Sequence, residues 1–253
     1  MAEKPRLNQQ NQSKTVFSDQ QIINSWLKNA APWTAAIDSE EITSRVEVTN
    51  MAVIEVLLKL CSQKRLGDQP LKLLDLGCGE GWLMRALDKA LREAGDALAI
   101  DMLGTDIVPE LIANGEKQGI GRFKTLSYEA LSFEQLKETF DVIVCNFSLL
   151  GEQSVNRVFA QVAHLLKPDG CFVVQTLHPV TACGEKPYRD GWRSGSWHGF
   201  SEDFVDPPPW YFRTMASWLT LFTDNALSPP DIIEPKSCNN SAPLSVIFVA
   251  EKL

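Results

Sequence analysis

The chain is poor in positive charge: 24 Lys and Arg face 32 Asp and Glu, for a formal net charge of -8. Phosphate backbones are bound through clustered Lys and Arg. No such stripe occurs, so no nucleic-acid partner is expected. Long apolar runs are also missing. None approaches the roughly 18 residues that span a bilayer, so no membrane span is expected. Residues 1–14 are polar and rich in Gln and Asn, without the apolar core of a signal peptide. The expectation is a cytoplasmic protein with a disordered tail over residues 1–18. The six cysteines, Cys61, Cys78, Cys145, Cys171, Cys183 and Cys238, form no C-x-x-C pair and show no zinc spacing. They read as core-filling thiols in a reducing compartment, with no metal site.

What is present suits one α/β domain over residues 19–253. With 253 residues and 44% hydrophobic side chains, the chain can build a core without a disulfide or metal staple. Residues 19–65 carry helical periodicity: Ile22, Ile23, Trp26 and Leu27 on one face, then Val53, Val56, Leu57 and Leu60. The segment Asn29 to Trp33, containing Pro32, breaks the first helix. Strand-like apolar runs follow at 71–76, 99–105, 122–126, 140–145 and 171–177, alternating with helical segments at 82–92, 109–117 and 155–166. This alternation predicts a parallel sheet with helices on both faces. It stops after His178. Residues 179–212 hold five prolines, four glycines and many aromatics, and read as an ordered insertion. A helix at 214–225 and strands at 232–234 and 245–250 complete the chain.

The informative segment is Asp75-Leu76-Gly77-Cys78-Gly79-Glu80-Gly81-Trp82, at the end of the first apolar strand. Glycines there let the backbone turn sharply and approach a ligand at a helix N-terminus. A dinucleotide fingerprint would need glycine at position 82, where this chain has Trp, and no Gly-Lys-Ser/Thr of a P-loop follows. The spacing D-x-G-x-G-x-G resembles motif I of class I S-adenosylmethionine-dependent methyltransferases. A cofactor with an ammonium and a sulfonium, and no phosphate, fits a strand end carrying Asp75 and Glu80. The resemblance implies a Rossmann-like seven-stranded mixed sheet of order 3-2-1-4-5-7-6, with the last strand antiparallel. It implies S-adenosyl-L-methionine as cofactor. It implies cofactor contacts from Asp75, Gly77, Cys78, Gly79 and Gly81, with Asp106 on the ribose and Ile107 on the adenine. Tyr128, Glu129 and Ala130 would lie beside the adenine amine, and Asn146 and Phe147 where methyl group and acceptor meet. Trp26, Asn29, Trp33 and Arg45 resemble the closing segment of uncharacterised bacterial members of the small-molecule type, which also share the Pro209-to-Arg213 stretch. In them Arg45 would pair with the cofactor's carboxylate.

The acceptor is expected outside the carboxyl ends of the strands, between an N-terminal helical cap (19–65) and the insertion as a lid (179–212). Trp192, Trp197, His198, Trp210, Tyr211 and Arg213 are the candidate substrate contacts, suited to a planar or anionic small molecule. His178, Asn146 and Tyr211 are the candidates at the reacting end. A base at His178 would favour methylation on oxygen, since a hydroxyl must lose its proton. Two other readings stand. Asp206-Pro207-Pro208-Pro209-Trp210 resembles the D-P-P-Y loop of amino-methyltransferases acting on nucleic-acid bases, though displaced by some 60 residues from the fourth strand. A non-catalytic S-adenosylmethionine-binding protein would share the fold.

Overall fold

The structure, a computed structural model, describes residues 16–64, 69–95, 99–237 and 242–253. The expected tail therefore falls, for residues 1–15, outside the described residues, as does Cys238.

Strands β1 (Leu71–Leu76), β2 (Ile100–Asp106), β3 (Arg122–Thr125), β4 (Phe140–Asn146) and β5 (Leu166–Leu177) pair in parallel. β9 (Ser245–Glu251) lies antiparallel between β5 and β8 (Asp231–Ile233). The sheet order is β3-β2-β1-β4-β5-β9-β8. With the separate hairpin of β6 (Gly191–Arg193) and β7 (Trp210–Phe212) set aside, this is the expected 3-2-1-4-5-7-6.

The central strands are mostly apolar because both their faces are covered. On one face Leu74, Ile143, Phe172 and Val174 pack under α7 (Gln153–Leu165) and α9 (Met215–Thr223). Phe159 sits edge-on to Phe172 and Phe222 there, with ring centroids 5.3 and 4.9 Å apart. On the other face Leu73, Val142, Val144 and Val173 meet α3 (Asn50–Gln63) and α4 (Trp82–Glu93). Each fully buried Leu or Phe contributes about 1.5–3 kcal/mol relative to exposure.

The N-terminal helices differ from the sequence expectation. The break is a single residue, Asn29, between α1 (Asp19–Lys28) and α2 (Ala30–Asp38). Pro32 falls in the first turn of α2, where its missing N–H has no helical partner to lose. A five-residue π-helical turn, Arg45–Thr49, then leads into α3, a rare geometry often found at functional sites. Asp19 starts α1 and also closes the N-terminus of α7, its carboxylate accepting the backbone N–H groups of Glu152 at 2.9 Å and Ser154 at 2.6 Å.

The insertion is ordered in part by its own Arg193. Arg193 donates to the carbonyls of Ala182, Cys183 and Pro187, with its guanidinium 3.5 Å from the centre of the Phe212 ring. The ends of the insertion are the short helix α8 (Pro179–Cys183) and the hairpin β6–β7. No helix among the described residues is long and apolar enough to cross a membrane.

Candidate functional site

A cavity of about 580 Å³ opens over the carboxyl ends of β1, β2, β4 and β5, roofed by α1, α2 and the insertion. Its floor is the turn after β1. Gly77 and Gly79 adopt φ of +74° and +57°, the left-handed region that glycine occupies without strain. Space matters as well at Gly77, where a Cβ would lie 2.4 Å from Tyr128 Oη and from Ser148 Cβ. Tyr128 and Ser148 both donate to the Leu76 carbonyl, so three segments are tied together at the strand end.

Asp106 ends β2 with one oxygen accepting the Gly79 N–H at 3.0 Å and the other the Val108 N–H at 2.9 Å. The turn is thereby fixed against β2, and Asp106 lines the cavity. Burial raises the Asp106 pKa above the ordinary carboxylate value, against the pull of those N–H groups. Asp75 is more extreme. It is buried with neither oxygen hydrogen-bonded, and burial, with Asp106 and Glu80 as neighbours, pushes its pKa up to about 8.

Among the described residues, six buried side-chain polar atoms lack a hydrogen-bond partner, and five belong to cavity residues: Arg45 Nη1, Thr49 Oγ1, both Asp75 oxygens and Asn146 Oδ1. Buried polar groups are normally paired, so this concentration marks where a polar ligand belongs. The pattern fits the amino-acid end of S-adenosylmethionine: a carboxylate for Arg45 and an ammonium for Asp75. Arg45 stands between Trp33 and Trp82, 5.2 and 4.9 Å from the ring centres, and desolvation lowers its pKa to about 10. Trp33 leans over the turn, its Nε1 being the atom nearest to a Cβ placed on Gly79.

Of the expected cofactor residues, Asp75, Gly77, Cys78, Gly79, Asp106, Ile107, Tyr128, Glu129, Asn146, Phe147, Trp33 and Arg45 line this cavity. Two do not. Gly81 is the left-handed N-cap of α4 and backs onto Phe123, which a Cβ would meet at 2.6 Å; its role is in the turn. Ala130 only closes the turn from Ser127. The Cys78 and Cys145 thiols are pushed well above their usual range by burial, as fits core residues.

The acceptor side requires larger corrections. Trp197 and Trp210 line the cavity, joined by Phe200, Pro208, Gly195 and Ser196. His178 does not. Its Nε2 lies 2.8 Å from Glu234 Oε1 and its Nδ1 accepts the Val180 N–H as the cap of α8, so it serves the structure. Tyr211 and Trp192 pack against each other outside the cavity, ring centroids 5.6 Å apart, with Trp192 Nε1 donating to Glu152. Arg213 is consumed by the carbonyls of Gly151 at 2.7 Å and Glu152 at 2.9 Å. His198 is exposed and lies off the cavity wall. Arg193 is turned into the lid itself, as described above.

The sequence reading also missed Asp19, Ile23, Leu150 and Ser154, which reach the wall from α1 and the α7 N-terminus. A signal existed in Asp19, an acid just inside a helix start, but its long-range partner α7 could not be inferred from spacing.

Residues 73–170 match the family described as methyltransferase domain. The chain is 32% identical to the ubiquinone biosynthesis O-methyltransferase of Xylella fastidiosa over 123 residues, 47% of each protein. It is 35% identical to the mitochondrial arginine-hydroxylase NDUFAF5 of Mus musculus over 107 residues, 42% of this chain and 28% of that one. The chain thus spans from about a quarter to a half of the length of these relatives. In fold it resembles magnesium protoporphyrin IX methyltransferase from Synechocystis, solved with bound S-adenosylhomocysteine, at a TM-score of 0.62 and 15% identity. That match covers 93% of this chain and 100% of that one. Residues 73–170, with the glycine turn after β1 among them, are thus similar to a methyltransferase domain, and the chain has the fold of the class I S-adenosylmethionine-dependent type.

Proposed function

We propose that the protein is an S-adenosylmethionine-dependent methyltransferase acting on a small-molecule acceptor enclosed between the N-terminal helices and the insertion. The observation that carries this reading is the set of unpartnered polar atoms on Arg45, Thr49, Asp75 and Asn146 around one cavity that continues under Trp197 and Trp210. The cofactor, when bound, supplies an activated methyl group. The chain's own part is to hold and to exclude. Asp75, Arg45 and Thr49 take the charged end, Asp106 and Ile107 the nucleoside, and the aromatic roof keeps water from the reacting centre.

The expectation of methylation on oxygen rested on His178 as a base, and His178 is engaged with Glu234 instead. The base-modifying alternative rested on Asp206-Pro207-Pro208. Asp206 is ion-paired to Lys28 at 2.5 Å, so its carboxylate is engaged within the roof.

Calorimetry with S-adenosylhomocysteine tests the reading. One site is expected, and Asp106→Ala should weaken it roughly 10- to 100-fold, since hydrogen bonds to charged groups contribute about 1.5–3 kcal/mol. No binding to the unaltered protein, or full affinity in Asp106→Ala, would refute it.

A further inference from the structure

We propose, resting on that reading, that Gln175 is a positioning residue for the cofactor's amino-acid end. Its side-chain amide holds in place the π-helical turn that brings Arg45 and Thr49 to the cavity. Three observations lead there.

The first is a polar row on one face of the sheet. Side chains alternate along a strand. Leu73, Val144 and Val173 pack on the face covered by α3 and α4, so Asp75, Asn146 and Gln175, each two residues further along, return to that face. Gln175 stands beside Asn146 in the register of β4 and β5. It is buried, and its Oε1 is the sixth unpartnered polar atom, the other five being those of Arg45, Thr49, Asp75 and Asn146. Unlike those four residues, Gln175 does not line the cavity, so it reaches a ligand there through a neighbour.

The second is what its amide touches. Gln175 Nε2 donates to the Thr49 carbonyl at 3.1 Å, across 126 positions, and to Ser245 Oγ at 3.0 Å. A backbone carbonyl only accepts, so the NH2 group is the end of the amide that faces Thr49. Oε1 is thereby left without a donor, which lowers stability at a buried position. Val173 and Val174, on the same strand and as deeply buried, carry no such penalty. What glutamine supplies that an apolar side chain cannot is the N–H for Thr49.

The third is how little else ties the turn Arg45–Thr49 to the sheet. Arg45 Nε donates to Asn50 Oδ1 at 3.3 Å, and the N–H groups of Arg45 and Val46 donate to the Ile42 carbonyl, all within one local segment. Val46 and Glu47 are exposed. A second cavity, of about 530 Å³, borders the turn at Arg45, Val46 and Asn50, so packing there is sparse. Among the described residues, the Gln175–Thr49 bond is the hydrogen bond that joins this turn to the sheet. Were the turn to wind as an ordinary α-helix, the residues before it would rotate by about 100° around the helix axis. Arg45 would then leave its place between Trp33 and Trp82.

The test compares two ligands on the full chain by calorimetry. S-adenosylhomocysteine has the amino-acid end, and 5′-methylthioadenosine has the nucleoside without it. Gln175→Met removes the donor and keeps an unbranched side chain of similar length. The Phe147 N–H keeps its partner, since that bond is to the backbone carbonyl of residue 175. Affinity for S-adenosylhomocysteine should fall at least fivefold, part of the roughly 10- to 100-fold that a whole charged contact is worth. Affinity for 5′-methylthioadenosine should stay within twofold. Hydrogen–deuterium exchange in the ligand-free variant should quicken across residues 45–50 and stay unchanged in β1. In an Arg45→Ala background the Gln175→Met effect on S-adenosylhomocysteine should shrink below twofold, as expected of residues acting through one contact. Ser245→Ala, which leaves the Thr49 bond intact, should keep both affinities within twofold. Gln175→Leu supplies the same comparison should Gln175→Met fail to fold. Equal losses for the two ligands, no loss for S-adenosylhomocysteine, additive effects with Arg45→Ala, or a Ser245→Ala loss as large as that of Gln175→Met would each overturn the proposal. No S-adenosylhomocysteine binding to the unaltered protein, or full affinity in Arg45→Ala, would instead refute the parent reading, so the two failures are distinct.

Discussion

Asn29 closes both backbone groups of Val205, accepting its N–H at 2.9 Å and donating to its carbonyl at 2.8 Å. The two residues lie 176 positions apart, and Asn29 is fully buried. Around this pair Ser25 donates to the Asp206 carbonyl, and Trp26 meets Trp197 edge to face with centroids 5.7 Å apart. The N-terminal helices and the lid therefore form one roof over the cavity. Asn29→Ala would leave the Val205 N–H unsatisfied at about 1–3 kcal/mol, while its carbonyl keeps the Trp197 Nε1 donor. Tryptic cleavage at Arg189 in the lid should accelerate at least tenfold, and S-adenosylhomocysteine should slow it again. Limited proteolysis read by mass spectrometry decides. An unchanged rate would mean that the lid is held elsewhere.

Asp75 makes a pH prediction. Its folded-state pKa of about 8 lies far above the ordinary 3.8, so between those values the folded protein binds the extra proton. Ligand-free stability should then fall as pH rises from about 4 to about 8, and level off above. A cation beside Asp75 favours its ionised form, so binding of the ammonium-bearing cofactor should release a proton below pH 8. Affinity should rise by up to about tenfold per pH unit from pH 6 to 8. Asp75→Asn should flatten both dependences. Calorimetry in buffers of different ionisation enthalpy counts the proton directly, and a count of zero at pH 7 would contradict the assignment.

For His178 the structure and the sequence expectation give opposite outcomes. As a base it would be indispensable to transfer. As the cap of α8 and the partner of Glu234 it contributes only stability. His178→Ala is expected to keep S-adenosylhomocysteine affinity within twofold and to lower the melting temperature by about 2–4 °C, corresponding to about 1 kcal/mol in a protein of this size. A hundredfold loss of methyl transfer in a well-folded variant would return His178 to the chemistry.

The sheet and the cofactor turn were legible because their signals are local. Apolar runs of strand length, glycines at fixed spacing and an acid at the end of β2 need no knowledge of distant residues. The acceptor side was not legible for the opposite reason. Arg213 looks in sequence like a ligand for an anion, yet it donates, as Arg193 does, to carbonyls that a loop fold leaves unpaired. Such carbonyls are invisible until the loop's path is known. Asp19 failed to stand out because its partners lie more than a hundred residues away. Trp197 and Trp210 stand out in sequence because large aromatics in an insertion have few uses besides packing or covering a pocket, and both line the cavity.

Gly195 offers a test of the lid that leaves the cofactor turn untouched. Its φ is not left-handed, so its backbone conformation suits any residue and only space limits it. A Cβ there would lie 1.8 Å from the Pro208 carbonyl oxygen, far inside any permitted contact. Neither side yields easily: Pro207, Pro208 and Pro209 have fixed φ, and Trp197, two residues beyond Gly195, is anchored through Nε1 to the Val205 carbonyl at 2.9 Å. Both Gly195 and Pro208 face the cavity. Gly195→Ala should therefore force the two lid segments apart and displace Trp197 and Trp210 together. Hydrogen–deuterium exchange should show faster exchange across residues 195–212 and no change in β1 or β2, with S-adenosylhomocysteine affinity within threefold. Equal exchange in the lid of variant and parent would mean that the close approach of Gly195 to Pro208 does not hold the roof in place. The same outcome would detach Trp197 and Trp210 from the acceptor site.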